Sequence, residues 1–248
     1  MSKEFDLAGV VPWGRTAEEY EAFLDLADVR PQARVLDCGG GPSSFTAEWA
    51  EAGRPVAAVD PLYVLDRTEI RAGFEAAVEP MRHGLEAARD RFVWSYYRSP
   101  EQVIALRRTA LERFCTDREA APTGRYIHGA LPALPFADDA FDLVLCSHLL
   151  FLYSDRLDRA FHVAGLREML RVAPEVRLFP LNDLDGAPSA HLEPVLAALA
   201  GEVEAARVPV GFEFQQGARD MLRVTRRGYS PASCNAASYS SAHWRSRS

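Results

Sequence analysis

The 248-residue chain is 48% apolar and 25% charged, the balance of a globular fold and not of a fibrous or disordered chain; at this length a domain buries roughly 70–75% of its unfolded surface and needs no staple. A formal net charge of −7 works against non-specific binding to polyanions, so bulk nucleic-acid binding is not expected. The acidic N-terminus lacks an apolar signal segment, and no stretch approaches the roughly 18 apolar residues of a membrane span, which predicts a cytoplasmic protein with no membrane partner. Cys38, Cys115, Cys146 and Cys234 are scattered, with no Cys-x-x-Cys pair and no ligand rhythm, so neither a disulfide framework nor a metal site is expected.

In chain order, Tyr20, Phe23, Leu24 and Ala27 recur at helical spacing and predict an amphipathic helix over residues 16–27. Residues 34–38 read as a short buried strand, broken by Gly39-Gly40-Gly41-Pro42, and residues 43–52 as the helix that follows. Residues 55–60 form a second apolar run closed by Asp60, with Pro61 discouraging helical continuation at the acid. Residues 63–124 are too long for an ordinary crossover and carry helically spaced apolar residues such as Ile104, Leu111 and Phe114, predicting a helical insertion. Further strands are expected over 125–130, 141–148 and 175–181, with a helix over 156–172, and a hairpin over 204–210 and 220–225. The alternation predicts an α/β, doubly wound, mostly parallel seven-stranded sheet with the insertion between strands 2 and 3 and an antiparallel hairpin at the end. One domain is expected over residues 1–225, and the Ser-, Ala- and Arg-rich residues 226–248 are expected to be disordered.

The strongest chemical signal is the run from Val35 through Asp37, Gly39, Gly40 and Gly41 to Ser44, with Asp60 nineteen residues beyond Gly41. A glycine turn lets a ligand approach the backbone, the next helix offers free N–H groups, and an acid ending the second strand can accept both ribose hydroxyls. Dinucleotide and adenosyl sites share that logic. The third glycine of a dinucleotide fingerprint would fall at Ser44, and a carboxylate at Asp37 repels a pyrophosphate, whereas it suits the cationic amino group and sulfonium of S-adenosylmethionine.

These residues resemble the class I S-adenosylmethionine-dependent methyltransferases, a family with a Rossmann-like sheet, and the resemblance runs from about Tyr20 to Val224. Its acid-x-Gly-x-Gly motif is matched by Asp37, Gly39 and Gly41, with Ser43 where a third glycine is frequent; its ribose acid is matched by Asp60. Its Leu-Pro-Phe-x-x-x-x-Phe-Asp-x-Val segment is matched from Leu134-Pro135-Phe136 to Phe141-Asp142-Leu143-Val144. More closely, the chain is similar to a bacterial subgroup without an assigned substrate. The resemblance implies S-adenosylmethionine as cofactor, held by Asp37, Gly39, Gly40, Gly41, Ser44, Asp60, Pro61, Ala130, Leu131, Cys146 and Ser147. Two positions depart from the pattern: Ala130 stands where many relatives carry an adenine-binding Asp, and Val172-Ala173-Pro174-Glu175 replaces a Pro-Gly-Gly-like loop.

The family's strand order would bring Cys38 beside Cys146, Ser147 and His148 at the ligand edge, making His148 the candidate general base, with a cofactor-shaping role as the alternative. A metal site at Cys38, Cys146 and His148 is not predicted. Tyr153 is a candidate for the substrate mouth, and Asp155 for the same place or, better, the N-cap of the next helix. Trp94, Tyr96, Tyr97 and Arg98 suit either stacking on a planar substrate or the insertion's own core, the latter preferred, and Arg107-Arg108 a solvated helical face. The expected function is methyl transfer to a small-molecule acceptor, with the insertion as a lid; the alternatives are a non-catalytic binding or regulatory protein of the same fold and an NAD-dependent oxidoreductase. No Asn-Pro-Pro-Tyr-like motif follows the fourth strand, so amide and adenine N-methylation are not suggested.

Overall fold

Four consecutive residues, Val35–Cys38, make the first strand, β1, and all four are buried because helices cover both faces of the sheet. Side chains of a strand alternate between faces. Val35 and Asp37 look towards one layer and Leu36 and Cys38 towards the other, which fixes where the acid of the glycine motif must go. The computed structural model describes residues 12–229; the expected disorder over 230–248 lies outside them.

The remaining strands are β2 (Val56–Val59), β3 (Tyr126–Ile127), β4 (Leu143–Ser147), β5 (Glu175–Phe179), β6 (Val203–Pro209) and β7 (Asp220–Arg226). They form one seven-stranded sheet in the order β3-β2-β1-β4-β5-β7-β6. The first five run parallel, and β7 is antiparallel to both β5 and β6. The expected sheet is therefore present, and strand order reverses between β1 and β4, whose carboxyl ends open a crevice. Strand β3 is only two residues long, against the six expected; beyond it Ala130 and Ala133 pair in a turn, with Ala133 N–H donating to the Ala130 carbonyl at 3.1 Å. Strand β7 runs to Arg226, past the expected domain end, because the Arg226 N–H donates to the Pro174 carbonyl at 2.9 Å.

Helices α5 (Arg159–Val172) and α6 (Leu192–Leu199) cover the Leu36 face through Leu166, Met169, Val195 and Leu199. Sequence periodicity did not single out α6, which is short and has Pro194 in its first turn. The opposite face is covered by α1 (Ala17–Leu24) and α2 (Phe45–Glu51), through Tyr20, Phe23, Phe45 and Trp49. The Leu-Pro-Phe segment has a packing role: Leu134 and Phe136 are buried, the Leu134 N–H donates to Glu168 at 2.6 Å, and Arg171 donates to the Phe136 carbonyl at 2.9 Å. Asp142 bonds the Arg34 N–H at 2.8 Å and its guanidinium, joining the starts of β1 and β4.

Between β2 and β3 lie α3 (Arg67–Ala87) and α4 (Pro100–Ala120). α4 packs Ile104, Leu111 and Phe114 against Ala58 of β2 and ties to α2 through Arg113 and Glu51, so it serves as the ordinary crossover helix. The true addition is α3 with residues 88–99. Among the described residues, no helix is long and apolar enough to cross a membrane.

Arg107 and Arg108 do not share the solvated face that the sequence suggests for them. Arg108 is exposed and pairs with Glu75, but Arg107 is 3% exposed and donates to both Glu19 oxygens, at 2.6 and 2.8 Å, and to Tyr97 Oη at 2.8 Å. Periodicity could not reveal this because the partner is 88 residues away on α1. Burial opposes ionisation of Glu19, but Arg107 and Arg15 more than offset it, and its pKa lies below the ordinary carboxylate value. Removing one member of a buried pair strands the other charge, typically at about 3–5 kcal/mol. Arg107→Met is therefore expected to lower unfolding free energy by that amount in urea denaturation, and adding Glu19→Met to recover a large part of the loss.

Candidate functional site

The crevice at the carboxyl ends of β1, β2 and β4 holds a cavity of about 240 Å³. Its floor is the glycine turn. Gly39 and Gly41 adopt φ of +73° and +53°, the left-handed region that side chains strain. A Cβ on Gly40 would come within 2.5 Å of Asp37 Oδ2. Around the turn, Gly41 N–H donates to Asp60 Oδ2 at 2.9 Å, Tyr63 Oη donates to the Gly41 carbonyl at 2.8 Å, and Leu62 N–H donates to Asp60 Oδ1 at 2.7 Å.

Of the predicted residues, Gly39, Gly40, Gly41, Asp60, Pro61, Ala130, Leu131, Ser147 and His148 line the cavity, as does Cys38. Three do not. Asp37 is 1% exposed beneath the turn, where Tyr20 Oη donates to its Oδ1 at 2.9 Å and Oδ2 has no hydrogen-bond partner. Ser44 points away and donates to Glu48 at 2.6 Å, and Cys146 is buried against the α5 layer. Asp155 is exposed, and the cap of α5 is instead Asp158, whose Oδ1 accepts from Phe161 N–H at 2.8 Å. Among the described residues, no group of three or more His, Cys, Asp or Glu side chains is arranged to hold a metal ion.

Sequence reading missed the roof. Residues 12–15 press onto the turn, with the Arg15 carbonyl accepting from Ser44 N–H at 3.0 Å and Ser43 Oγ at 2.6 Å. Only glycine fits at position 14, where a Cβ would meet the Pro42 oxygen at 1.9 Å. The Arg15 guanidinium donates to the Trp13 carbonyl at 3.2 Å and has no carboxylate in ion-pairing contact among the described residues. Burial, then the Arg107 charge, lowers its pKa to about 10, so it remains a cation at neutral pH. The only signals were a Gly-Arg pair before a helix and the aromatic Trp13, neither of them periodic.

His148 follows β4 directly at φ +53°, the left-handed region. Its Nδ1 lies 2.7 Å from Ser147 Oγ and its N–H donates to the Phe179 carbonyl at 2.6 Å. Burial, aided by Arg15 and Arg107, holds its pKa well below the ordinary histidine value, so the imidazole is neutral but a weaker base than a free histidine. Burial likewise pushes Asp37 up to about 7, the Tyr20 hydrogen bond pulling back and Asp60 adding to the rise; Asp60 is pushed up to about 6 against the Leu62 and Gly41 N–H groups.

No protein-family profile matches the chain. An uncharacterized protein of Methanocaldococcus jannaschii is 28% identical over 226 residues, covering 89% of this chain and 98% of that one. Similar solved structures include a Pyrococcus horikoshii protein, at 13% identity and TM-score 0.48 over 85% of this chain and 90% of that one. Another is the Synechocystis magnesium protoporphyrin IX methyltransferase with bound S-adenosylmethionine, at 15% and 0.43 over 85% and 77%. A third is a TehB-like S-adenosylmethionine-dependent methyltransferase of Corynebacterium glutamicum, at 14% and 0.43 over 84% and 87%.

The raised Asp37 value has a thermodynamic sign. Its folded-state pKa of about 7 exceeds the ordinary 3.8, so folding favours the protonated acid, and this contribution, full below pH ~4, is lost as pH rises through ~7. The Tm of ligand-free protein is expected to fall across that window. Asp37→Asn, which keeps the acceptor for Tyr20, is expected to flatten the fall in thermal scans, leaving the smaller slope due to Asp60.

Proposed function

We propose that the protein is an S-adenosylmethionine-dependent methyltransferase acting on a small-molecule acceptor. The observation that carries the reading is the pair of buried carboxylates flanking the glycine turn, Asp37 below and Asp60 beside it, one oxygen of Asp37 left without a partner. Two acids there penalise a pyrophosphate and favour a ligand with a cationic end and a ribose. When bound, S-adenosylmethionine supplies an electrophilic methyl group, transferred to the acceptor's nucleophilic atom as the S–C bond breaks and its electron pair stays on sulfur.

The chain's own residues divide the work. Asp60 keeps lone pairs for two ribose hydroxyls while holding the turn through Gly41 N–H. Asp37 supplies the counter-charge through the turn and braces it from below. Arg15, a cation on the cavity wall without a carboxylate in contact among the described residues, suits the carboxylate of the methionyl end. Gly129, Ala130, Leu131 and Phe161 offer backbone groups and apolar surface to adenine in place of an acid at position 130. His148 accepts the acceptor's proton, a smaller contribution than the alignment enforced by the enclosing walls. Residues 12–15 and Met81 of α3 exclude water from above.

Calorimetric titration tests this. S-adenosylmethionine and S-adenosylhomocysteine are expected to bind and NADH not to bind, with Asp60→Ala weakening both by tenfold or more, about 1.4 kcal/mol per tenfold. Affinity for S-adenosylmethionine is expected to rise from pH 5 to 8 as Asp60 and Asp37 ionise, more steeply than for S-adenosylhomocysteine, which lacks the sulfonium charge. NADH binding in their place would overturn the reading, and cofactor binding without turnover across an acceptor screen would leave a binding protein.

A further inference from the structure

A second chamber of about 180 Å³ opens off the first, sharing Trp13, Arg15, Met81, His148, Leu152 and Leu184 with it. Its far wall is aromatic and comes from two distant segments. Phe92 and Tyr97 belong to the addition after α3, and Phe212 and Phe214 to the loop between β6 and β7. Backbone bonds lock the segments together: Val93 N–H donates to the Phe214 carbonyl at 2.7 Å and Gln216 N–H to the Arg91 carbonyl at 3.0 Å. The rings offer both faces and edges, Tyr97 meeting Phe214 at 90° with centroids 4.7 Å apart and Phe179 meeting Phe212 at 81° and 5.8 Å.

Away from the junction, the chamber's charge is already matched. Arg107 on its wall is paired with Glu19, and Tyr97 Oη is engaged by both. The remaining cation, Arg15, stands at the junction with the first cavity, where the proposed function gives it the cofactor carboxylate. The polar group at the junction that faces both cavities without a charge is His148, with Nδ1 2.7 Å from Ser147 Oγ. A chamber this compact has no room for an extended acyl chain, whereas crossed rings provide stacking and edge contacts for a flat guest.

We infer that this chamber takes the methyl acceptor, and that the acceptor is a small, flat, uncharged aromatic molecule presenting a hydroxyl or amino group to His148. The assignment rests on the methyltransferase reading. The probe is 2-naphthol, titrated calorimetrically into protein saturated with S-adenosylhomocysteine, with 2-naphthoate and n-octanol as the charged and the flexible comparisons. The naphthol is expected to bind at least tenfold more tightly than either. Phe214→Ala, which removes a wall, and Ala218→Leu, which fills the chamber, are each expected to weaken it tenfold or more while changing S-adenosylhomocysteine affinity less than twofold. Binding of S-adenosylhomocysteine without naphthol overturns this inference alone, as does a preference for naphthoate or octanol, or naphthol binding unmoved by both variants. Failure of S-adenosylhomocysteine to bind overturns the cofactor reading and this inference with it.

Discussion

The organisation of the site depends on one unfavourable arrangement, a carboxyl group held away from water at the end of β1. Asp37 has to point into the α1 layer because Leu36 and Cys38 belong to the other face, and once there it meets a single donor, Tyr20. Much of what surrounds the glycine turn makes this tolerable. Tyr20 comes from a helix fixed by its own capping box, Gly40 leaves the space a side chain would take from Asp37 Oδ2, and the acid's pKa is moved instead of its position. Desolvated polar groups of this kind cost stability and are retained where a ligand gives the return.

Glu19 connects that arrangement to the rest of the molecule. It closes the capping box of α1 with Thr16, receives Arg107 from α4 and Tyr97 from the loop before α4. The helix that carries Tyr20 to Asp37 is thus held by the same ion pair that seats the addition, and the two cavities share one electrostatic frame. Within it, burial first and then positive charge from Arg15 and Arg107 keep His148 unprotonated, while Asp37 and Asp60 place two carboxyl groups at the other end of the crevice.

What could be read in the sequence was what local pattern encodes. Short apolar runs, the Gly39–Gly41 break and Asp60 after the second run located β1, β2 and the turn, and strand order then put Cys38 beside Cys146 and His148 near Asp60's crevice. What could not be read was set by distance. Asp37 suits a cation by type, yet the face on which it lies puts it under the turn and off the cavity wall. Arg107 looks solvated until Glu19 is brought across, and Tyr97 belongs to a core shared with Phe212 and Phe214, not to one of the addition's own. The roof was invisible because Pro12-Trp13-Gly14-Arg15 has no period; its meaning lies in backbone contacts with Pro42 and Ser43.

That roof changes where the functional unit begins. Hydrophobic periodicity draws the edge at α1, and a shortened chain starting at Ala17 would keep every strand and every large core cluster. It would also lose the carbonyl that receives Ser43 and Ser44, the cation facing the crevice, and the Thr16 half of the capping box that steadies Glu19. Such a truncated protein would look sound by circular dichroism and yet have an uncovered site.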